Sequence, residues 1–544
     1  MVSLKDCKNL KALPSRLEMD SLRKLILSGC SKFRKLPEFG ENMEYLSIIE
    51  LKDCKNLACL PDSISNLKSL KSLNIDGCAK FQSLPNNLDE NEGIEELDVS
   101  GTAITSIPSC IVGLKHLSKL YVDGCNGSSS NSSRNLLSLI SRTLGFTGSE
   151  APIRLTIPPS IFSLSSLRKL RLRNCNLKAG SIPDDLGCFS SLQELDLSGN
   201  NFGYLPAGSL VFPPSLFSSL SSLKELNLQD CNLSDGSIPD DLSSLSSLFR
   251  LNLSRNNFTK LPYGLVSNLL SLHSLDLNHC KRLLSFPDVP PNVSFINAIC
   301  CHPSMEHFSE VLWKFLSSSY LRYIPRELLV PGNEIPSWFH NQNFDFLHEF
   351  KYCGWGIRRS RMLEDEVDKT NNLVDCIISI KIDISRFRCS NKKWGVSLCL
   401  VVQGTMPSNC RNPYNSVYIS IFVTPESNDS WFETRWKLDL EGNQPHLFIF
   451  FLTPSGLQYG RGELHTDELR LTLMTRRTTI WSVNGHEAKK DDSKSGRRGS
   501  FSIKKCGWRL ASQEELGEYV EEWQRKMSEC SSTSHQELGE DDAV

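Results

Sequence analysis

The side chains that could support chemistry are few and poorly gathered. Cys300, Cys301 and His302 stand together with His307 nearby, and thiolate and imidazole are the donors of a tetrahedral zinc site. Such a site needs a second pair at a matching spacing, and none follows. His116, His273 and His279 are scattered, without the nucleophile and orienting acid that would make any of them a catalytic base. No GxxxxGK[ST] phosphate loop occurs. Asn131, Asn232, Asn252 and Asn257 open Asn-x-Ser/Thr sequons, which read as chance matches in Ser- and Asn-rich sequence. These observations predict neither an enzyme nor a bound metal or cofactor. The denser signal is charge. Arg168, Lys169, Arg171 and Arg173 crowd six residues, with Lys119, Tyr121 and Asp123 before them and Glu194, Asp196, Glu225 and Asn227 after.

Those residues recur on a common frame. The pattern LxxLxL begins at Leu22, Leu46, Leu70, Ile94, Leu117, Leu167, Leu192, Leu223, Leu248 and Leu272. Seven of the nine spacings are 23–25 residues, inside the roughly 20–29-residue range of leucine-rich repeats. The apolar positions cannot be buried by one repeat, but stacked neighbours make a continuous core, so the pattern predicts an α/β solenoid of horseshoe form. The x positions then point to solvent from an inner sheet. A basic strand beside acidic ones allows two readings: charge pairing across strands, or a protein-binding patch with Arg and Tyr as anchors.

Three residues past the last strand leucine lies a turn position held by Cys30, Cys54, Cys78, Cys125, Cys175, Cys231 and Cys280, and by Asn200 and Asn256. With Cys7 and Cys301, nine of the 20 cysteines are explained by this one position. Side chains there face the interior and satisfy turn backbone, so the count argues for free thiols and a reducing compartment rather than a disulfide framework. LPxxL or IPxxL follows, with proline opening the outer segment where no ladder bond is lost. The two long spacings, of 50 and 31 residues, imply a Ser-rich surface insertion at about 126–150 and a smaller one near 207–214. The chain opens in mid-strand without a polar cap, an expectation that repeats or a cap lie upstream.

The formal net charge of -2 gives no reason to propose nucleic acid or an anionic membrane as partner. The start lacks an apolar leader, and the longest apolar runs, such as LFIFFL at 447–452, fall far short of the ~20 residues that span a bilayer. A cytoplasmic location, nucleocytoplasmic included, is therefore expected. After residue 301 a helical stretch near 304–317 falls in a cap or linker, 302–329. Alternating β-rich segments follow at 374–384, 394–402, 416–423, 431–440, 446–452, 469–473, 478–483 and 501–505, which predict an antiparallel β-sandwich over 330–511. Residues 512–544 read as a capped amphipathic helix and an acidic, disordered tail.

VPGNEIPSWF, at 330–339, resembles the opening of the C-terminal jelly-roll and Ig-like domain that follows the repeats of plant TIR-NB-LRR disease-resistance proteins. Its residues here are Pro331, Gly332, Glu334, Ile335, Pro336, Trp338 and Phe339. QPHLFIFFL and IKKCGWRL resemble later parts of that domain, and the Cys-laddered repeats with LPxxL turns match the family. A charged segment, RRSRMLEDEVDK, replaces the Gly-Ser-rich strand that usually comes after the signature. The resemblance implies a recognition and autoinhibitory module of an intracellular immune receptor. It would bind a pathogen effector or a guarded host protein, and act with TIR and NB-ARC domains in cis or trans. The partner-binding residues would be Lys119, Tyr121, Arg168, Lys169, Arg171, Arg173, Glu194 and Asp196, with Trp338 and Phe339 seating the end domain on the repeats. LSGNNF and SIPDDL instead resemble secreted plant repeats, which leaves an extracellular receptor-like protein binding a peptide or protein as the alternative.

Overall fold

A computed structural model describes residues 1–107, 109–125, 161, 164–178, 180–182, 189–203, 212, 217–218, 220–239, 242–261, 268–284, 293–299, 301, 326–331, 334–335, 374–383, 394–404, 415–425, 432–438, 446–452, 468–479 and 501–512. The chain divides into two compact units, Met1–Asp276 and Leu277–Val544.

In the first unit each LxxLxL makes a three-residue strand. In sheet order these are Lys24–Ile26, Ile48–Glu50, Ser72–Asn74, Glu96–Asp98, Lys119–Tyr121, Lys169–Arg171, Glu194–Asp196, Glu225–Asn227, Arg250–Asn252 and Ser274–Asp276, with Val2–Ser3 at one edge. All pair in parallel, apolar residue beside apolar residue: Leu25 meets Ile49, Leu97 meets Leu120, Leu120 meets Leu170 and Leu170 meets Leu195. The middle residue, leucine or Ile49, is buried in every repeat strand from Leu25 to Leu275, so a one-residue slip would turn the whole row to solvent. Short 3-10 turns at Asp62–Asn66, Leu88–Glu90 and Ser109–Gly113 carry the chain back on the outer side. The 31-residue spacing is absorbed partly by aromatic filling, since Phe212 packs against Phe202 and Phe217 at centroid distances of 5.2 and 6.0 Å.

The turn after each strand repeats one backbone device. The residue before the ladder position has positive φ at Asp6, Gly29, Asp53, Gly77, Gly101, Gly124, Asn174, Gly199, Asp230, Arg255 and His279. Gly, Asp and Asn dominate because the left-handed region costs them least. At Gly199 (φ 72°) a Cβ would also lie 2.0 Å from Asn174 Oδ1.

The ladder thiols face inward and donate to the carbonyl just after the strand of the preceding repeat: Cys54 Sγ to Leu27 O at 3.1 Å, Cys78 to Leu51 O at 3.2 Å and Cys231 to Leu197 O at 3.2 Å. Cys7 departs from the expectation. It is exposed, because among the described residues no strand pairs with the outer edge of Val2–Ser3. Thr102 holds the same position in its repeat, donating to Val99 O at 2.7 Å.

Burial pushes the Cys54 and Cys231 thiols up to about 12 and that of Cys78 higher still, from an ordinary 9.0. So raised, they hold almost no thiolate near neutral pH, and thiolate is the reactive form. Iodoacetamide at pH 8 should therefore label Cys7 and Cys59 in the native protein, and Cys54, Cys78 and Cys231 only after unfolding. Mass spectrometry of the alkylated, unreduced chain reads the result, and ladder peptides joined by disulfides would contradict it.

In the second unit Phe295–Asn297 repeats the inner-strand geometry. Cys301 Sγ donates to Leu277 O at 3.1 Å, and Phe295–Asn297 pairs in parallel with Arg326–Pro331. That strand starts four residues before the expected boundary at 330. It runs antiparallel to His446–Leu452, which continues to Trp394–Gly404 and Phe501–Ser512. A second antiparallel sheet orders Val374–Asp383, Glu468–Thr479, Asn415–Pro425 and Phe432–Leu438. The segments expected at 469–473 and 478–483 are not separate strands as far as Thr479. One strand, Glu468–Thr479, runs through, since MTRRT holds no glycine or proline to break it. The final strand likewise runs on from 505 to Ser512. The insertion at 126–150, the helix near 304–317, the helix and tail after Ser512, and the charged segment after the signature lie outside the described residues.

Candidate functional site

The register of the strands decides which charged side chains meet. Lys119 stands beside Lys169 and Tyr121 beside Arg171, so the strand after the long insertion stacks directly on the one before it. On the other side Lys169 faces Glu194 and Arg171 faces Asp196. Pairing follows in part. Lys169 bonds Glu194. Arg173 Nε donates to Asp196 Oδ2 at 2.6 Å, and Asn227 Nδ2 donates to the same oxygen at 2.9 Å. Lys119 pairs backwards with Glu96 at 3.1 Å. Arg171 does not take its facing aspartate. It bonds Asp123 and lies 4.7 Å above the Tyr121 ring, a cation–π geometry that its longer reach allows.

Charge pairing across strands thus accounts for most of this cluster. Arg168 is the exception: it is exposed and holds no ion pair among the described residues. Asp196 and Asp123 are the most buried of the acids, with side chains 10% and 15% exposed. Burial raises the phenol of Tyr121 from its ordinary value.

Sequence reasoning passed over Asp98, which faces Tyr121 across the strands. Burial raises its carboxyl from 3.8, and Asp76 adds to the effect. The native state thus holds this proton more tightly than the unfolded chain. Stability from this group falls as pH climbs from the ordinary value through the raised one. Asp98→Asn keeps an acceptor for the Ser100 amide, now 3.0 Å from Oδ1. The variant should melt higher than the parent at pH 7, and the difference should close near pH 3. A lower melting temperature at pH 7 would show that the charge is worth more to Arg171 than its burial costs.

The Leucine Rich Repeat family matches residues 166–189, 191–220 and 222–245. TMV resistance protein N of Nicotiana glutinosa is 28% identical over 332 residues, 57% of this chain and 22% of that protein. Disease resistance-like protein DSC1 of Arabidopsis thaliana is 28% identical over 412 residues, 73% of this chain and 25% of that protein. The chain carries leucine-rich repeats and is homologous to plant disease-resistance proteins. It spans only about a quarter or less of the length of those two relatives. Among solved structures, an LRR protein of Leptospira interrogans aligns with a TM-score of 0.34 at 21% identity, over 55% of this chain and 83% of that one.

The remaining sequence candidates are dispersed. Pro331 ends the strand Arg326–Pro331, beside His446. Glu334 is exposed and Ile335 buried, while Gly332, Pro336, Trp338 and Phe339 lie outside the described residues. So do Cys300, His302 and His307, and Cys301 is engaged by Leu277 O. Among the described residues no group of three or more His, Cys, Asp or Glu side chains could hold a metal, and no helix is long and apolar enough to cross a membrane.

Proposed function

We propose that this chain is the recognition region of a plant immune receptor, binding protein on the inner strand face of its repeats. The observation that carries the reading is the joint one: homology to disease-resistance proteins over 57% of the chain, and an inner sheet whose solvent-facing rows bring Arg171 and Tyr121 together on adjacent strands, with Arg173 two residues beyond. Arg and Tyr are favoured interface anchors, Tyr because it brings a large contact area on two rotatable bonds and Arg because its planar guanidinium offers five donors and a stacking face. The partner on this reading is a pathogen effector or a guarded host protein. TIR and NB-ARC domains, in cis or in trans, would be held silent until it arrives. Ladder thiols used as hydrogen-bond donors fit a reducing, cytoplasmic setting. The strands after residue 326 are read as a jelly-roll and Ig-like sandwich, for which the two antiparallel sheets give support.

The test is positional cross-linking in plant tissue challenged with a pathogen. A photo-reactive residue at Glu194, on the inner face, should capture a defined protein. The same residue at Asn66, exposed in an outer 3-10 turn, should not. Equal capture at both positions would remove the inner face from the reading.

A further inference from the structure

The residue just before each inner strand forms a row of its own. Beyond Ser118 it runs Arg168, Gln193, Lys224, Phe249 and His273, each amide donating to the carbonyl of the member before it at 2.8–2.9 Å. Its cations differ from their neighbours on the strands. Lys169, Arg171, Arg173 and Arg250 each hold a carboxylate, whereas Arg168 and Lys224 are exposed and hold none among the described residues. Next to Lys224 the row turns aromatic. Phe249 is 41% exposed and stacks on His273 with ring centroids 4.6 Å apart and planes at 8°. The Arg250 guanidinium lies 5.9 Å from the Phe249 ring.

We infer that this row binds an extended acidic segment of a partner protein, with two carboxylates on Arg168 and Lys224 and an apolar side chain closing over Phe249 and His273. The inference rests on the reading that the inner face binds protein, but it uses a row separate from the ion-paired cluster.

Spacing fixes the pattern. Neighbouring strands lie ~4.8 Å apart, so Arg168 and Lys224, two strands apart, are separated by about 10 Å. A segment in the extended polyproline II form advances ~3.1 Å per residue and presents every third residue on one face, which places the acids three residues apart and the apolar residue three further on, over His273. A continuous polyanion fits less well, because Glu194 and Glu225 flank the row and would repel it.

The experiment uses the whole chain and fluorescein-labelled peptides containing Asp-Ser-Ser-Asp-Ser-Ser-Phe or its reverse, with Asn-for-Asp versions as controls. Anisotropy titrations should show one acidic peptide binding above its control. Lys224→Glu and Phe249→Ala should each weaken it by about tenfold to thirtyfold, the effect of losing an interface anchor. Lys80→Glu, in an exposed turn after Cys78, should leave it unchanged, and all three variants should melt as the parent does. The inference is overturned if neither acidic peptide exceeds its control, or if Lys224→Glu leaves binding intact. It is overturned too if a uridine oligonucleotide of greater charge competes fully. Binding that survives Lys224→Glu but is lost when the exposed pair is exchanged, Lys169→Glu with Glu194→Lys, would overturn this row while leaving the inner face as the recognition surface.

Discussion

Replacing Asn256 with alanine should cost about 3–5 kcal/mol of stability, a large effect for one polar side chain. Its amide satisfies backbone in two directions. Oδ1 accepts from the amides of Cys231 and Leu233, each at 3.1 Å. Nδ2 donates to Leu228 O at 2.9 Å and to Leu253 O at 2.8 Å. All four partners lie on buried backbone, where a group left without a bond costs about 1–3 kcal/mol before relaxation. Asn200 holds the same arrangement two ladder positions earlier, accepting from Cys175 and Leu177 at 3.0 Å.

A ladder cysteine does less. Cys54 donates one bond from a weak thiol, and its own amide turns back to Leu51 O at 3.1 Å. Cys54→Ala should accordingly cost about 1 kcal/mol. Urea denaturation of both variants measures the contrast, and a loss near 1 kcal/mol for Asn256→Ala would mean that water replaces the missing amide.

That contrast marks what the sequence carried. Strands, their register and the buried ladder were legible because leucine spacing leaves only one way to hide the apolar positions. The existence of two turn types was also written there, and went unread. Where the next ladder residue is Asn, the leucine after the cysteine comes two residues on, as in Cys175-Asn176-Leu177 and Cys231-Asn232-Leu233. Where it is Cys, the gap is three, as from Cys54 to Leu57. The shorter turn puts Asn176 and Asn232 at positive φ, and there the ladder amide is satisfied by the next repeat instead of by its own strand.

The charge cluster was legible only as a neighbourhood. Strand pairing set Tyr121 beside Arg171, as the period required. The choice of Asp123 by Arg171 depends on side-chain reach, and the period is silent on that. Asp98 escaped notice because its pattern, Glu-Leu-Asp, is shared with Glu194–Asp196. What distinguishes it is the missing counter-ion: Arg173 pairs with Asp196, whereas no ion pair reaches Asp98 among the described residues.

Pairing also changes how the inner face must be tested. Arg171→Glu with Arg173→Glu would set two new carboxylates against Asp123 and Asp196, both largely buried. The double variant should therefore lose about 2–4 kcal/mol of stability, because buried acids stripped of their partners retain their desolvation cost. Lost binding in such a protein would say little about recognition. The cleaner variant exchanges a pair whose members are equally exposed. Lys169 and Glu194 have side chains 35% exposed on adjacent strands, so Lys169→Glu with Glu194→Lys keeps the bond and reverses its direction. Its stability should stay within about 0.5 kcal/mol of the parent, as for other surface substitutions. A partner seated on Tyr121 and the arginines would then meet like charges in place of complementary ones. Its affinity, measured on the protein captured through Glu194, should fall by about 2–4 kcal/mol, the usual cost of a lost interface anchor. Unchanged affinity in a fully stable exchange variant would mean that these charges hold strands together and do nothing else, and recognition would have to lie elsewhere on the chain.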